Sequence, residues 1–390
     1  MAGSEFDALV VGAGLTGSVV ARCLAERGKR VVIWDRRGHI GGNMYDYQDE
    51  FGILVHRYGP HTFHTNDKSL LDFMGRFARW TPYRLACGAV IDKVETPTPF
   101  NFRTIDQFFS DTCAKDIKAR LAEAFGVRGA VTVLEALESP DQVVRNYAQW
   151  LFEKDYSLYT AKQWGVSAEE IDPSVLKRVP LRLSYEEGYF DDEYQVMPAT
   201  SYTSFFRALL DHPLIQVELG VEATDRLKAD GGRLLLDGAP LESPFVYTGA
   251  LDELFGYREG HLPYRSLRFE WKHENIESLQ SYPVVAYPQA EGFTRITEYK
   301  KLPVQDVSGT TYAVEYPQTY HADSGAEPYY PVLTEESQKQ YRRYVLAATN
   351  IANLFPCGRL ADFKYYNMDQ ALARALEVAE SITTVSLCRL

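Results

Sequence analysis

The chain has 390 residues, enough for a large core in two or three domains, and its apolar content of 45% is ordinary for a globular protein. A net charge of −12 excludes general nucleic-acid binding as a reading, and an anionic substrate would need a local cationic pocket against that background. Five scattered cysteines (Cys23, Cys87, Cys113, Cys357, Cys388) without a C-x-x-C pattern indicate neither a disulfide framework nor a zinc site. No basic stretch followed by an apolar run opens the chain and no long apolar stretch follows, so a soluble, cytoplasmic protein without membrane insertion is expected.

The first apolar strand, ending in Val10 and Val11, runs into Gly12-Ala13-Gly14-Leu15-Thr16-Gly17, a G-x-G-x-x-G turn. A helix is predicted over Ser18–Arg27 with Gly28 as its stop, and a second strand, Val31–Trp34, ends in Asp35, 18 residues after Gly17. Together these form the βαβ dinucleotide-binding pattern. Gly12 allows the sharp turn, Gly14 lets backbone approach a pyrophosphate, and Gly17 lets the helix pack closely. The helix N-terminus, at Leu15 and Thr16, offers unpaired N–H groups to phosphate. Asp35 is placed to bond ribose hydroxyls, which favours an unphosphorylated ribose. Gly41 and Gly42, followed by Asn43, resemble the extended signature of FAD-binding flavoproteins, so FAD is the expected cofactor, with Arg36 also in its cradle.

Further along, Pro97 to Asn101 reads as an extended entry into a helical stretch from Thr104 to about Lys162, with Thr104 as N-cap of the first helix. Val133 to Leu137 and Val143 to Glu153 carry apolar residues at helical spacing. Residues 180–205 read as β-like. Ile215–Leu219 is a short alternating strand, and Leu234–Leu236 and Phe245–Gly249 are expected to return to the nucleotide domain. Period-two alternation at Tyr282–Tyr287, Thr294–Tyr299 and Thr311–Tyr316 predicts antiparallel sheet. Asn353–Arg359 reads as a strand entering a glycine turn, and a last helix is expected over Met368–Val385. The predicted fold is α/β: a discontinuous FAD-binding Rossmann-like domain (1–85, 206–257, 341–390), a helical insertion (103–178), and an antiparallel-sheet insertion (86–102, 179–205, 258–340).

Five segments carry a resemblance. They are Arg57-Tyr58-Gly59-Pro60-His61-Thr62-Phe63-His64-Thr65, Pro99-Phe100-Asn101, Tyr159-Thr160-Ala161-Lys162-Gln163-Trp164-Gly165, Leu176-Lys177-Arg178-Val179-Pro180 with Tyr189-Phe190, and Phe293-Thr294-Arg295-Ile296-Thr297-Glu298. Pro328-Tyr329-Tyr330-Pro331 and Gly358-Arg359-Leu360 to Asp369 extend it. With the N-terminal motif, this set resembles the flavin-dependent UDP-galactopyranose mutase family. The resemblance implies interconversion of nucleotide-linked galactopyranose and galactofuranose by covalent catalysis through N5 of reduced FAD, with no net redox change. It also implies NAD(P)H or a reductase as electron source and UDP-galactose or a related nucleotide sugar as substrate, and it leaves a homodimer open.

The resemblance makes Arg178 and Arg295 the clamps for the departing diphosphate, a task that suits planar guanidinium forks. It places Tyr159, Tyr189, Tyr330 and Tyr365 on the substrate, Trp164 on a mobile lid near 160–175 within the helical insertion, and His61 and Arg359 beside the flavin ring. The N-terminus of the last helix, near Met368, would aim its dipole at the flavin. His61 and His64 stand three apart, but no nearby cysteine or carboxylate in the sequence completes a metal site, and none is expected. Two departures bear on the substrate: Asn367 replaces an aspartate common in the family, and Tyr156 stands where phenylalanine is common beside uracil. A thymidine-linked 6-deoxyhexose is therefore an alternative substrate, and an amine-oxidase-like flavin oxidoreductase an alternative activity.

Overall fold

The computed structural model describes residues 6–165, 179–322 and 325–387. Short, largely apolar segments form a five-stranded, wholly parallel sheet in the order Ile215–Leu219, Val31–Asp35, Ala8–Val11, Phe245–Tyr247, Leu354–Pro356. Helices Leu15–Glu26 and Met368–Leu387 pack on it and on one another through Val19, Val20, Leu24, Leu372, Ala375 and Ala379. Three distant stretches of sequence thus build one doubly wound unit. Its strand order reverses between Ala8–Val11 and Phe245–Tyr247, where such sheets open a crevice at the strand C-termini.

A seven-stranded sheet lies beside it, in the order Tyr330–Pro331, Tyr264–Glu274, Thr310–Thr319, Arg295–Glu298, Val284–Ala286, Cys87–Ile91, Val94–Thr98. The period-two segments all fall in it, but the expectation of purely antiparallel pairing needs correction: Val284–Ala286 runs parallel to Cys87–Ile91. The helical portion has its own core, in which Val144, Tyr147, Ala148 and Leu151 meet Ile105, Ile117 and Leu121.

Other local readings also differ from the structure. The first helix of the insertion begins at Phe102, capped by Asn101, whose side chain accepts from Arg103 N, while Thr104 is the third helical residue and its hydroxyl oxygen accepts from Asn101 N. The helix expected through Glu153 is α-helical over Gln142–Leu151 and then widens into a π-turn, Phe152–Tyr156. Tyr202–Leu210 is a helix rather than β-like, because Ser201 caps it and Tyr202, Phe205, Phe206 and Leu209 fall on one buried face. Leu234–Leu236 belongs to a separate three-stranded meander, and Phe245–Tyr247 alone of that pair joins the parallel sheet.

Candidate active site

Gly12 adopts φ +105°, and a Cβ on Gly17 would stand 1.9 Å from Gly12 O, so strand, turn and helix close to a distance only glycine permits. Gly14 precedes the helix without a side-chain cap, and no acid occupies the first turn, which leaves the N-terminal N–H groups and positive dipole end for an anion. The second glycine turn is tied to the first by Gly41 N donating to Ala13 O at 2.8 Å. A Cβ on Gly42 would come within 2.8 Å of Gly14 Cα. Gly12, Gly14, Leu15, Thr16, Gly17, Asp35, Arg36, Gly41, Gly42 and Asn43 all line one cavity at the strand reversal, together with Tyr247 to Gly249 from the fourth strand.

Asp35 accepts Ala13 N–H at 2.7 Å and Arg37 N–H at 2.8 Å, so its carboxylate first braces the cradle and keeps further lone pairs for a ribose. Arg36 lies among Glu222, Glu253 and Glu327, whose charges hold its guanidinium above the ordinary arginine range. The neighbouring Arg37, which was not singled out from sequence, does more for the cradle. It donates twice to Asn43 Oδ1, pairs with Glu327 and covers the Tyr58 ring at 4.3 Å.

A second cavity adjoins the first, and Asn43, His61, Arg359, Tyr366, Asn367 and Met368 line both. The last helix therefore begins at the junction, and His61 and Arg359 flank it. His61 Nδ1 lies 2.8 Å from Gly59 O and must carry its proton there, which leaves Nε2 as an acceptor without a hydrogen-bond partner among the described residues. Burial and the charges of Arg359 and Arg295 lower its pKa to about 4, so the ring is neutral near pH 7. His64 instead bonds Asp192 at 2.7 Å and stacks on Phe190, so the two histidines serve different structures.

Deeper in the second cavity, Arg295 Nε donates to buried Glu315 at 2.7 Å. That bond engages Nε alone of the fork, and Arg295 lines the cavity. The neighbouring carboxylate raises the Arg295 pKa well above its ordinary value, so the charge is permanent. Trp164, Tyr330 and Tyr365 form an aromatic corner, with the two tyrosine rings stacked at 5.2 Å and Trp164 within 6.0 Å of both. Arg359 covers Tyr330 and Tyr365 and donates to Tyr366 O. Tyr159 and Tyr189 also line this cavity, as does Tyr156, whose hydroxyl is already committed to Val179 O at 2.7 Å. Burial pushes Tyr330 up to about 12 and Tyr159 above its ordinary range, so both hydroxyls remain protonated donors.

The structure thus brings together all the singled-out residues except Arg178, which lies outside the described residues, as does most of the expected lid. Trp164 is the last residue of the Ser157–Trp164 helix, and it is buried. Sequence reasoning missed Arg37, Asp155 and Glu327. Asp155 had a readable signal, since it stands four residues before Tyr159 on a helical face, and Glu327 immediately precedes the Pro328-Tyr329-Tyr330 segment. Among the described residues no helix is long and apolar enough to cross a membrane, and no cluster of metal-ligating side chains occurs.

Residues 154–365, just over half of the chain, match the family described as UDP-galactopyranose mutase, and residues 10–77 match the NAD(P)-binding Rossmann-like domain. The chain is 35% identical over 386 residues to a UDP-galactopyranose mutase of Mycoplasma pneumoniae, covering 97% of this chain and 96% of that one. It is 32% identical to a dTDP-fucopyranose mutase of Escherichia coli, covering 95% and 97% of the two chains. A crystal structure of reduced UDP-galactopyranose mutase superposes with a TM-score of 0.73 at 14% identity, covering 98% of this chain and 94% of that one, which supports the fold. By its sequence the chain belongs to the UDP-galactopyranose mutase family, and it is an isomerase.

Proposed function

We propose that the chain interconverts the pyranose and furanose forms of UDP-linked galactose, with FAD as cofactor, reduced during turnover by NAD(P)H or a reductase. The observation that carries this reading is the continuity of the two cavities. A glycine cradle fit for a dinucleotide meets, at His61, Arg359 and the start of the last helix, a cavity that holds an oriented arginine and an aromatic corner. The cradle fits the cofactor because its glycines leave no room for a Cβ and its helix N-terminus is uncapped. The parallel strands support assigning 1–85, 206–257 and 341–390 to the cofactor domain.

When bound and reduced, the flavin supplies the nucleophile for the anomeric carbon. The chain's own residues orient, neutralise and enclose. Arg295, fixed by Glu315, holds the diphosphate as its charge develops, with Arg178 proposed as a second clamp. Tyr159 and Tyr330 donate to phosphate oxygens, and Tyr189 lines the same wall. Trp164, Tyr330 and Tyr365 cover the sugar and exclude water. Neutral His61 presents Nε2 at the junction, where the reacting atoms meet, and Asn367 reaches the sugar.

The test is conversion of UDP-galactofuranose to the pyranose, followed by chromatography, with and without dithionite. Conversion only after reduction is expected, and Arg295→Ala should retain the flavin while turnover falls by about a hundredfold or more. Failure to convert with flavin bound and reducible would overturn this reading. A second reading is favoured by Asn367 and by the relative acting on a dTDP sugar: the same ring contraction on a thymidine-linked 6-deoxyhexose, tested with that substrate in the same assay.

A further inference from the structure

One acid in the second cavity is not used by the chemistry above. Asp155 lies in the π-turn Phe152–Tyr156, is only 9% exposed, and lines the second cavity with no hydrogen-bond partner among the described residues. A carboxyl so buried is costly unless something in the cavity meets it. Lys162 is the cation that influences it, yet the Lys162 ammonium is spent on three carbonyls, Tyr287 O, Ala290 O and Phe293 O, at 2.5 to 2.9 Å.

The order of groups along the cavity locates this acid. Arg359, His61 and Asn367 mark the junction end, shared with the cofactor cavity. Tyr330 and Tyr365 lie against Arg359, and Arg295 lines the second cavity with Tyr159 and Tyr330. Tyr159 and Tyr189 line only the second cavity, and Asp155 directly precedes Tyr156 in the π-turn. Asp155, Tyr156 and Val179 line the second cavity alone. A nucleotide sugar with its sugar at the junction and its diphosphate on Arg295 would carry its base toward the Asp155 end, which Tyr156 and Tyr159 also line.

We propose that Asp155 is a specificity-determining residue that reads the base, its carboxyl accepting the N3–H of a pyrimidine imide. The assignment rests on the nucleotide-sugar reading above. The imide edge, common to uracil and thymine, sets one N–H donor between two carbonyls, so one carboxyl oxygen meets the donor. Burial raises this group to about 7, and in its protonated form the second oxygen donates to the adjoining carbonyl. Tyr156 cannot take that place, because its hydroxyl already donates to Val179 O.

The experiment uses the full-length, flavin-loaded protein and two probes, UDP and N3-methyl-UDP, titrated by quenching of tryptophan fluorescence. Wild type should prefer UDP by about tenfold or more, the worth of a hydrogen bond to a buried acidic group. Asp155→Leu, with the same branching at Cγ but without an acceptor, should bring the two probes within about twofold, and Asp155→Asn, whose amide oxygen still accepts, should keep the preference. A structural role would weaken both probes equally and leave the ratio unchanged. A wild-type protein indifferent to N3 methylation, or a Leu variant with undiminished preference, overturns the assignment. A wild type that binds neither probe overturns the nucleotide-sugar reading itself.

Discussion

His56 and His61 are joined through one bond: His61 N–H donates to His56 Nδ1 at 3.1 Å. His56 is fully buried against Tyr202 and Tyr299, and burial drives its pKa to about 3, beside about 4 for His61. Both values lie below the ordinary 6.5, so the unfolded chain binds more protons than the folded one between those limits. Stability is therefore full above about pH 6.5 and declines as pH falls toward 4, by up to about 1.4 kcal/mol per pH unit for each ring. We expect His56→Gln to be slightly less stable at pH 7, where His61 N loses its acceptor, but to show a shallower fall in Tm from pH 6.5 to 4. Parallel slopes for variant and wild type would refute this origin of the acid sensitivity. The pairing was not legible in the sequence: His61 stood out for its motif, whereas nothing local to His56 reveals that Tyr202, 146 residues away, packs on its ring.

At the level of elements, the Ser157–Trp164 helix positions more of the site than any other. Gly165 closes it in the left-handed region at φ +69°, and Arg265 satisfies its terminal carbonyls, Nε donating to Gln163 O at 3.0 Å and Nη2 to Lys162 O at 3.1 Å. The Lys162 ammonium pins the same turn to the loop between the strands Val284–Ala286 and Arg295–Glu298. Trp164 is thereby held against Tyr330 and Tyr365 from two sides. Arg265→Met removes one of these attachments, and we expect faster amide exchange over 159–165 and a several-fold rise in KM with a smaller change in kcat. Unchanged exchange would show that packing alone holds the turn. The sequence marked Trp164 and its motif, but Arg265 lies about a hundred residues on and meets the helix only through the fold. The π-turn was equally hidden, because periodicity counts apolar positions and one widened turn hardly disturbs that count. By contrast, the βαβ unit was legible almost to the residue, since its glycines answer to local steric demands: the helix begins at Leu15 rather than Ser18, directly after the uncapped Gly14.

Taken as a whole, the molecule is organised about the crevice at the reversal of strand order, and the proposed FAD would add to its stability. A ligand bound only by the folded state stabilises it by about 2.7 kcal/mol at a hundredfold excess over Kd. Removal of FAD should therefore lower Tm, and Gly17→Ala, whose Cβ would collide with Gly12 O, should abolish flavin retention. Absorbance of the purified variant checks this, and a yellow, fully loaded Gly17→Ala protein would contradict the role of that contact. Strand order and the joining of the two cavities were only partly legible. The sequence indicated which segments return to the first sheet, but Leu234–Leu236 has the same apolar signature and pairs elsewhere, because short strands carry no address for their partners.

The parallel sheet takes its last strand from Leu354–Pro356, and the helix that meets both cavities starts only at Met368. During synthesis the glycine cradle therefore emerges long before the parts that close over it. Capture of the proposed cofactor would in this sense be a terminal event: a chain interrupted anywhere before its final helix would hold the phosphate-binding turn and yet lack the Met368 end that lines both cavities.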